Sequence, residues 1–520
     1  MSAVIVLGDG VDALVAAHYL ARGGHDVTIV RERANGNGNG NGDVLEPGWA
    51  PPKIARDLDL GRHGLVTRTP EPWAVVPPEE GGLELSADIG RSAELIKKLS
   101  ARDAAKWPEF CARMHALARV LEHIYIAPPP DPTARARREL IELLHGALRV
   151  RGLGRRGIED LLRLLPMPVA DWLDDWFESD MLKGVLGAGG VMHLAQGPRS
   201  GGTAFNLLHH CVGSPAGVFR PMWTNARAVL MKALPNGVGW GDGPPTEGRR
   251  AGAPPAHPTV SRILIRDGRA TGVVLTDGTE LAAAAIVSAL PPARTLVELC
   301  DPGWLDPELV LAVRNVRSRG VAGRVSFVLD REPRFTTLVI APSLDYLERA
   351  YDPVKYGELS AAPYIEARYA GAPAKDRHVV EVHVQYVPHT PRSFAWDTPE
   401  TEKLGRTVAA CISEQVPGFS DWIIGRRVLT PADLEQIDGF PQGQRYHAEL
   451  ALDQVLWMRP VPQLARYRTP IGGLYLCGPA MHPGAGIAGA AGANAASILL
   501  KDLKAGLAKA PPRPTTVGRG

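Results

Sequence analysis

The stretch Gly473-Leu-Tyr-Leu-Cys-Gly478, continued by Pro479-Ala-Met-His-Pro-Gly-Ala-Gly-Ile-Ala-Gly-Ala-Ala-Gly-Ala-Asn494, decides how the rest of the chain is read. A short apolar run stops at a glycine, more glycines follow, and an Ala-rich segment begins. That is the pattern of a strand, a backbone-lined turn and a helix N-terminus, which lets main-chain N–H groups approach a large flat or anionic ligand. A second such unit opens the chain. Val4-Ile-Val-Leu reads as a buried strand, Asp12 to Arg22 has helical apolar spacing, and Val27-Thr-Ile-Val30 is a second strand. Between them Gly8-Asp-Gly10-Val-Asp-Ala13 fits the dinucleotide fingerprint. Gly8 would make the tight turn, Gly10 would let the backbone reach a pyrophosphate, and Ala13 would allow close helix–strand packing. Two such units at opposite ends predict one cofactor domain assembled from both termini.

The 520 residues are too many for one simple core, so two or three lobes are expected. Lys+Arg 58 against Asp+Glu 56 leaves almost no net charge, which gives no support for nucleic-acid binding. The five cysteines are scattered without a CxxC pair and read as buried thiols in a reducing compartment. No His/Cys/carboxylate cluster has metal spacing, so no metal is expected. No apolar run reaches the roughly 18 residues that would span a bilayer, and a cytoplasmic enzyme is the default. Peripheral membrane contact and homo- or hetero-oligomers stay open.

Three short strands joined by Asp267-Gly and Asp277-Gly turns are expected between Val260 and Leu281, then a buried strand at Ala285-Ile-Val-Ser. Residues 321–330 and 378–388 alternate like sheet strands and suggest a separate mixed α/β lobe. Residues 91–165 read as helix-rich, and 171–187 as a helix whose Trp172, Trp176 and Phe177 are core packing. The Asn-Gly tract at 35–42, the Gly/Pro-rich 241–258 stretch and the tail after 508 have no means of burying surface.

Asp9 and Asp12 lie where a pyrophosphate would bind and cost affinity unless they point away. At the end of the second strand, where an acidic residue normally holds the ribose, stands Arg31, followed by Glu32. Arg31 could pair with a 2′-phosphate, as in NADP sites; alternatively Glu32 could take the ribose instead, or the contact is simply absent. His482 is read either as a polar contact to a ligand ring or as a turn residue. His209 and His210 read as satisfied core histidines, and Asp345, Tyr346 and Tyr351 as core or interface groups. No catalytic residue is assigned.

The pattern as a whole resembles the phytoene desaturase-like branch of the FAD-dependent oxidoreductases. Trp176-Phe-Glu-Ser-Asp180, Gly197-Pro-Arg-Ser200, Pro342-Ser-Leu-Asp-Tyr-Leu-Glu-Arg-Ala-Tyr351, Met458-Arg-Pro-Val-Pro462 and His482-Pro-Gly-Ala-Gly486 carry the resemblance. It implies an α/β, glutathione-reductase-like and amine oxidase-like FAD-binding Rossmann fold with a three-strand meander, plus an inserted mixed α/β substrate domain with helical segments. The implied cofactor domain takes 1–75, 216–300 and 466–507, a helix-rich cap 76–215, the substrate sheet 301–465, and a tail 508–520. FAD is the implied cofactor, with NAD(P) as the alternative. Its pyrophosphate would lie on Gly8, Gly10 and Ala13, and its ribose near Arg31 and Glu32. Its ring would lie against Gly478, His482, Pro483, Gly484, Gly486 and Ile487. The implied reaction is hydride transfer between flavin N5 and a C–C or C–N bond of a hydrophobic small molecule. The chain departs from the family at Arg31, where Glu is usual, and at the Asn-Gly tract. It also departs at 241–258, which replaces the usual strand before the meander, and at Gly492-Ala-Asn494. These departures motivate a second reading, a flavin-poor partner subunit or scaffold. A third, an NADP-dependent dehydrogenase, rests on Arg31.

Overall fold

The computed structural model describes residues 2–31, 46–69, 71–76, 82–129, 148, 151–215, 223–241, 258–374 and 376–506. Glu32, the Asn-Gly tract, residues 242–257 and the tail after 506 lie outside the described residues.

The two glycine units meet in one parallel sheet. The strand Ala3–Leu7 pairs with Asp26–Val30 on one side and with Ala285–Ser288 on the other. Leu474–Leu476 lies beyond Ala285–Ser288, and Val238–Trp240 lies beyond Asp26–Val30. The first strand reads as an unbroken apolar run because the sheet is covered on both faces. Val4, Ile5, Val6 and Leu7 are all at most 2% exposed. The short strand Val238–Trp240 corrects one expectation. The stretch at 241–258 does not replace the strand before the meander; the strand ends just ahead of it.

The helix Val11–Arg22 that leaves the first glycine turn packs on the helix Ala490–Lys504 that leaves the last one. Small residues set the distance of approach. A Cβ at Gly492 would lie 1.9 Å from the Asp12 carbonyl oxygen, closer than any real contact. The meander forms as expected, with strands Val260–Arg266, Arg269–Leu275 and Glu280–Ala282. Asp267 and Gly268 both take positive φ, as a two-residue hairpin turn demands.

The single helix expected at 171–187 is two, Val169–Asp174 and Asp180–Val191. A tertiary contact breaks it. The buried carboxylate of Asp103 accepts the Glu178 and Ser179 N–H groups at 2.9 and 2.8 Å, and Ser179 then caps the second helix. Trp172 and Phe177 are buried there, with Phe177 against Phe110.

A second sheet is antiparallel, in the order Thr337–Ile340, Tyr364–Ala374, Arg377–Gln385, Ala322–Leu329, Ile423–Leu429. Val325, Phe327, Ile365, Ala367, Val380 and Val382 form a core of their own with Leu404, Val408 and Ile412 of the helix Thr398–Gln415. The opposite face of this sheet turns toward the first lobe.

The Gly492 contact gives a stability test. Gly492→Ala should lower the apparent Tm, because overpacking a closed contact costs about 1–3 kcal/mol. Gly61→Ala, where a Cβ meets nothing within 4 Å, should leave it unchanged. Equal Tm values for the two variants in a thermal melt would refute the close-packing account.

Candidate functional site

All five strands of the parallel sheet point their carboxyl ends at one edge, the place where open α/β sheets bind ligands. Both glycine turns lie at that edge, with Ala289 between them. A Cβ on Gly8 would be 3.4 Å from the Ala289 side chain, and one on Gly478 would be 2.1 Å from its carbonyl oxygen. Any larger residue at position 478 would push the two turns apart.

At the first turn, the Gly8 N–H donates to the Val30 carbonyl at 2.8 Å, with φ at +98°. Gly10 begins the helix with no side-chain cap, and a Cβ there would meet nothing within 4 Å. Among the described residues no side chain caps the first N–H groups of the helix. Ala13 is fully buried. The second helix of the pair starts at Gly489, and there the Asp12 carboxylate accepts the Gly492 N–H of its first turn.

The two acids of this turn are both accounted for. Asp9 is paired with Arg227, whose guanidinium donates to the carboxylate at 2.7 Å and to the Asp9 carbonyl at 3.2 Å. Asp12 turns toward the C-terminal helix, where its carboxylate accepts the Gly492 N–H at 3.3 Å. Burial outweighs that bond and raises the Asp12 carboxyl to about 7. Arg31 is buried, with its guanidinium 5.0 Å from the centre of the Trp240 ring. The sequence-predicted partner Glu32 is outside the described residues.

The second turn is irregular backbone, and its carbonyls need donors. Arg459 supplies them. Its side chain is fully buried and donates to the carbonyls of Pro479 (2.7 Å) and Met481 (3.2 Å) in the turn. It also donates to those of Tyr446, Ala448, Glu449 and Gln454 at 3.1–3.2 Å in the preceding loop. Burial pushes the guanidinium down to about 9, which still leaves it protonated at neutral pH. His482 is fully buried, its Nε2–H donating to the Ile124 carbonyl at 3.1 Å. Its Nδ1 has no partner among the described residues, and burial lowers the imidazole to about 4, so the ring is neutral. His209 is satisfied on both nitrogens, donating to the Ala485 carbonyl and accepting from the Tyr125 hydroxyl, each at 2.9 Å. His210 bonds the Gly189 carbonyl and the Tyr446 hydroxyl. The packing interpretation of both histidines stands.

Gly484, Gly486 and Ile487 complete the turn against a segment that sequence reasoning did not single out. Trp49 forms a parallel bridge there. Its N–H donates to the Gly486 carbonyl and its carbonyl accepts the Ala488 N–H, both at 2.8 Å. Gly213 makes room for the Trp49 ring, since a Cβ would sit 2.1 Å from it. Arg227 and Ala289 were missed for the same reason as Trp49, since each acts through partners far away in sequence. Arg459 lies in the family-like segment Met458–Pro462, but residue order does not show which carbonyls it meets. Asp345 and Tyr351 tie their helix to the 195–199 segment, Asp345 by pairing with Arg199 and Tyr351 by donating to the Ala195 carbonyl, while Tyr346 donates to the nearby Pro363 carbonyl.

Two outcomes follow. Arg459→Lys keeps a charge but cannot reach six carbonyls, so it should cost on the order of 3 kcal/mol or more, read as a large Tm drop or loss of soluble protein. An unchanged Tm would remove Arg459 from this role. For Asp12, the unfolded chain releases its proton near 3.8 and the folded chain near 7. Its contribution is thus fully present at low pH and is lost as the pH rises through about 7. Asp12→Asn should therefore gain Tm relative to the wild type between pH 5 and 8 and flatten the pH dependence; parallel curves would refute it.

No family model matches the chain. Near full-length relatives do. The "Pyridine nucleotide-disulfide oxidoreductase domain-containing protein 2" of Rattus norvegicus is 30% identical, over 96% of this chain and 93% of that protein. A limonene dehydrogenase subunit of Castellaniella defragrans is 24% identical over 96% and 94%. The neurosporene-forming phytoene desaturase of Rhodobacter capsulatus is 29% identical over 44% and 45%. Among solved structures, an engineered putrescine oxidase superposes with a TM-score of 0.58 at 13% identity, over 97% of this chain and 99% of that one. At that identity the likeness speaks for the fold, the mixed α/β amine oxidase fold. With 30% identity sustained over nearly the whole of both chains, this protein belongs to the phytoene desaturase-like family of FAD-dependent oxidoreductases.

Proposed function

We propose that the protein is a FAD-dependent oxidoreductase that adds or removes hydrogen across a C–C or C–N bond of a hydrophobic small molecule. One observation carries this. Two glycine turns sit side by side at the carboxyl edge of a parallel sheet, separated only by Ala289, and the first leads into a helix without a side-chain cap. The residues fit the group. Gly10 has open space where a side chain would stand, and the His482 Nδ1 is a buried acceptor that a ligand N–H would satisfy. When bound, FAD supplies a two-electron carrier able to take or return a hydride at N5.

The roles on this reading are these. Gly8, Gly10 and Ala13 hold the pyrophosphate against the helix N-terminus. Arg227 neutralises Asp9, and the protonated form of Asp12 removes a second negative charge from that neighbourhood. Arg459 keeps the turn from Gly478 to Ile487 in place, and Trp49 straps it from outside. The neutral His482 holds its proton on Nε2 and presents Nδ1. We assign 1–75, 216–300 and 466–507 to a glutathione-reductase-like cofactor domain, and 76–215 and 301–465 to the part that holds the substrate. The likeness to the limonene dehydrogenase subunit supports an apolar substrate.

The same likeness favours the second reading, a partner subunit with a weakened flavin site, because that relative is itself a subunit. The nicotinamide reading is the weakest: the Arg31 guanidinium is already buried over Trp240.

The first test is an absorption spectrum from 350 to 500 nm, with chromatography of any released cofactor. A yellow protein releasing FAD is expected. A colourless protein that takes up no added FAD would overturn the first reading in favour of the second. Arg31→Glu should tighten FAD binding if the ribose contact is the weak point, and an unchanged affinity would show that Arg31 is incidental.

A further inference from the structure

The antiparallel sheet has one apolar face, covered by its own helix, and one face of a different character. Because side chains alternate along a strand, Tyr364, Glu366 and Arg368 lie opposite Ile365 and Ala367. On the next strand Glu381, His383 and Gln385 share their face, and on the one after it Arg324 and Ser326 do. The register places Thr337, Arg368, Glu381 and Ser326 in one row, and Val339, Glu366, His383 and Arg324 in the next.

This polar face is the one that meets the first lobe. Gln385 donates to the Val191 and Leu194 carbonyls at 2.6 and 3.1 Å and accepts the His193 N–H at 3.1 Å. The His193 and His383 rings stand edge to face at 4.9 Å. Arg368 lies over Trp223, its guanidinium 4.3 Å from the ring centre. Trp223 begins a short strand, and four residues later Arg227 grips Asp9 of the first glycine turn. Trp223 and Arg227 thus link this face of the sheet to the first glycine turn.

The two carboxylates beside Arg368 already have hydroxyl donors. Glu366 accepts from the Tyr364 hydroxyl at 2.8 Å, and Glu381 accepts from Ser326 at 2.9 Å. Arg368 itself makes no hydrogen bond or ion pair among the described residues, and its Nε is buried without an acceptor. A half-buried guanidinium with unmet donors is costly unless an anion completes it. Stacking uses the face of the group and leaves its planar N–H edge, the geometry that takes a carboxylate in two parallel bonds. Glu366 and Glu381 face Arg368 and Arg324 in these two rows, so the cluster is close to neutral and disfavours a dianion such as a phosphate monoester more than a single carboxylate.

We propose that Arg368, held on Trp223, receives the carboxylate of the substrate, so that the substrate class is an amphipathic acid with an apolar body and one anionic end. This deepens the oxidoreductase reading and rests on it for the word substrate. The binding site itself does not depend on that reading.

The test uses the purified full chain with whatever flavin it carries, titrated by calorimetry with octanoate, octan-1-ol and octylammonium at neutral pH. The expected result is octanoate binding tighter than octan-1-ol, on the order of tenfold or more, as a charge-assisted buried pair implies, and octylammonium binding tighter than octanoate would overturn the proposal. Arg368→Gln should abolish the preference, and Arg368→Lys should restore part of it. Equal affinities for the acid and the alcohol in the unaltered protein would overturn the proposal without any variant, and so would a preference that survives Arg368→Gln. Octanoate preference in a protein that takes up no FAD would uphold this site and overturn the oxidoreductase reading. A flavoprotein with no preference would do the reverse.

Discussion

A buried arginine without a carboxylate holds the site together. Arg459 lies in a short loop between one-turn helical segments, and its five N–H donors are met by six main-chain carbonyls. Four of these come from 446–454 and two from the glycine-rich turn. The first has only the single turn Leu452–Gln454 and the second is irregular where Arg459 meets it, and buried backbone cannot stay unpaired. One planar cation answers for both. The cost of burying its charge is offset by the number of dipoles aimed at it, much as a bound ion would be held.

Around that centre the fold is set by how closely backbones may approach. Gly478 lets the last turn rest on the Ala289 carbonyl, and Gly492 lets two helices cross at Asp12. Gly213 admits the Trp49 ring. In each place a methyl group would collide with fixed backbone or a buried ring. The consequence is electrostatic as well as steric. Where the two helix starts meet, Asp12 is so enclosed that burial raises its carboxyl to about 7. A position that looked hostile to a pyrophosphate is thereby made far less so, while Asp9 is neutralised by Arg227 from another part of the chain.

Much of the frame was legible in the residues. The buried strand before Gly8, the two Asp-Gly hairpins and the alternating strands of the second lobe each have a local signature. Their periodicity or turn chemistry admits few alternatives. The helix at 171–187 was misread because nothing local announces that Asp103 will capture the Glu178 and Ser179 amides. The strand Val238–Trp240 was overlooked because three residues carry no periodicity, and pairing with Asp26–Val30 alone defines them. Arg31 looked like a ligand contact on residue type, and its burial over Trp240 became visible only with the sheet assembled.

Residue order was enough to establish the two strand–glycine–helix units, the meander and the family, since each rests on spacing within some thirty residues or on a run of matched segments. It could not establish that Ala289 separates the two turns, that Arg459 holds the second, or that Arg368 of the far lobe stacks on Trp223. Those are meetings of groups distant in the chain, produced by packing, and their energetics arise from burial. A guanidinium, an imidazole or a carboxyl acquires its role there by what surrounds it, and folding alone supplies those surroundings.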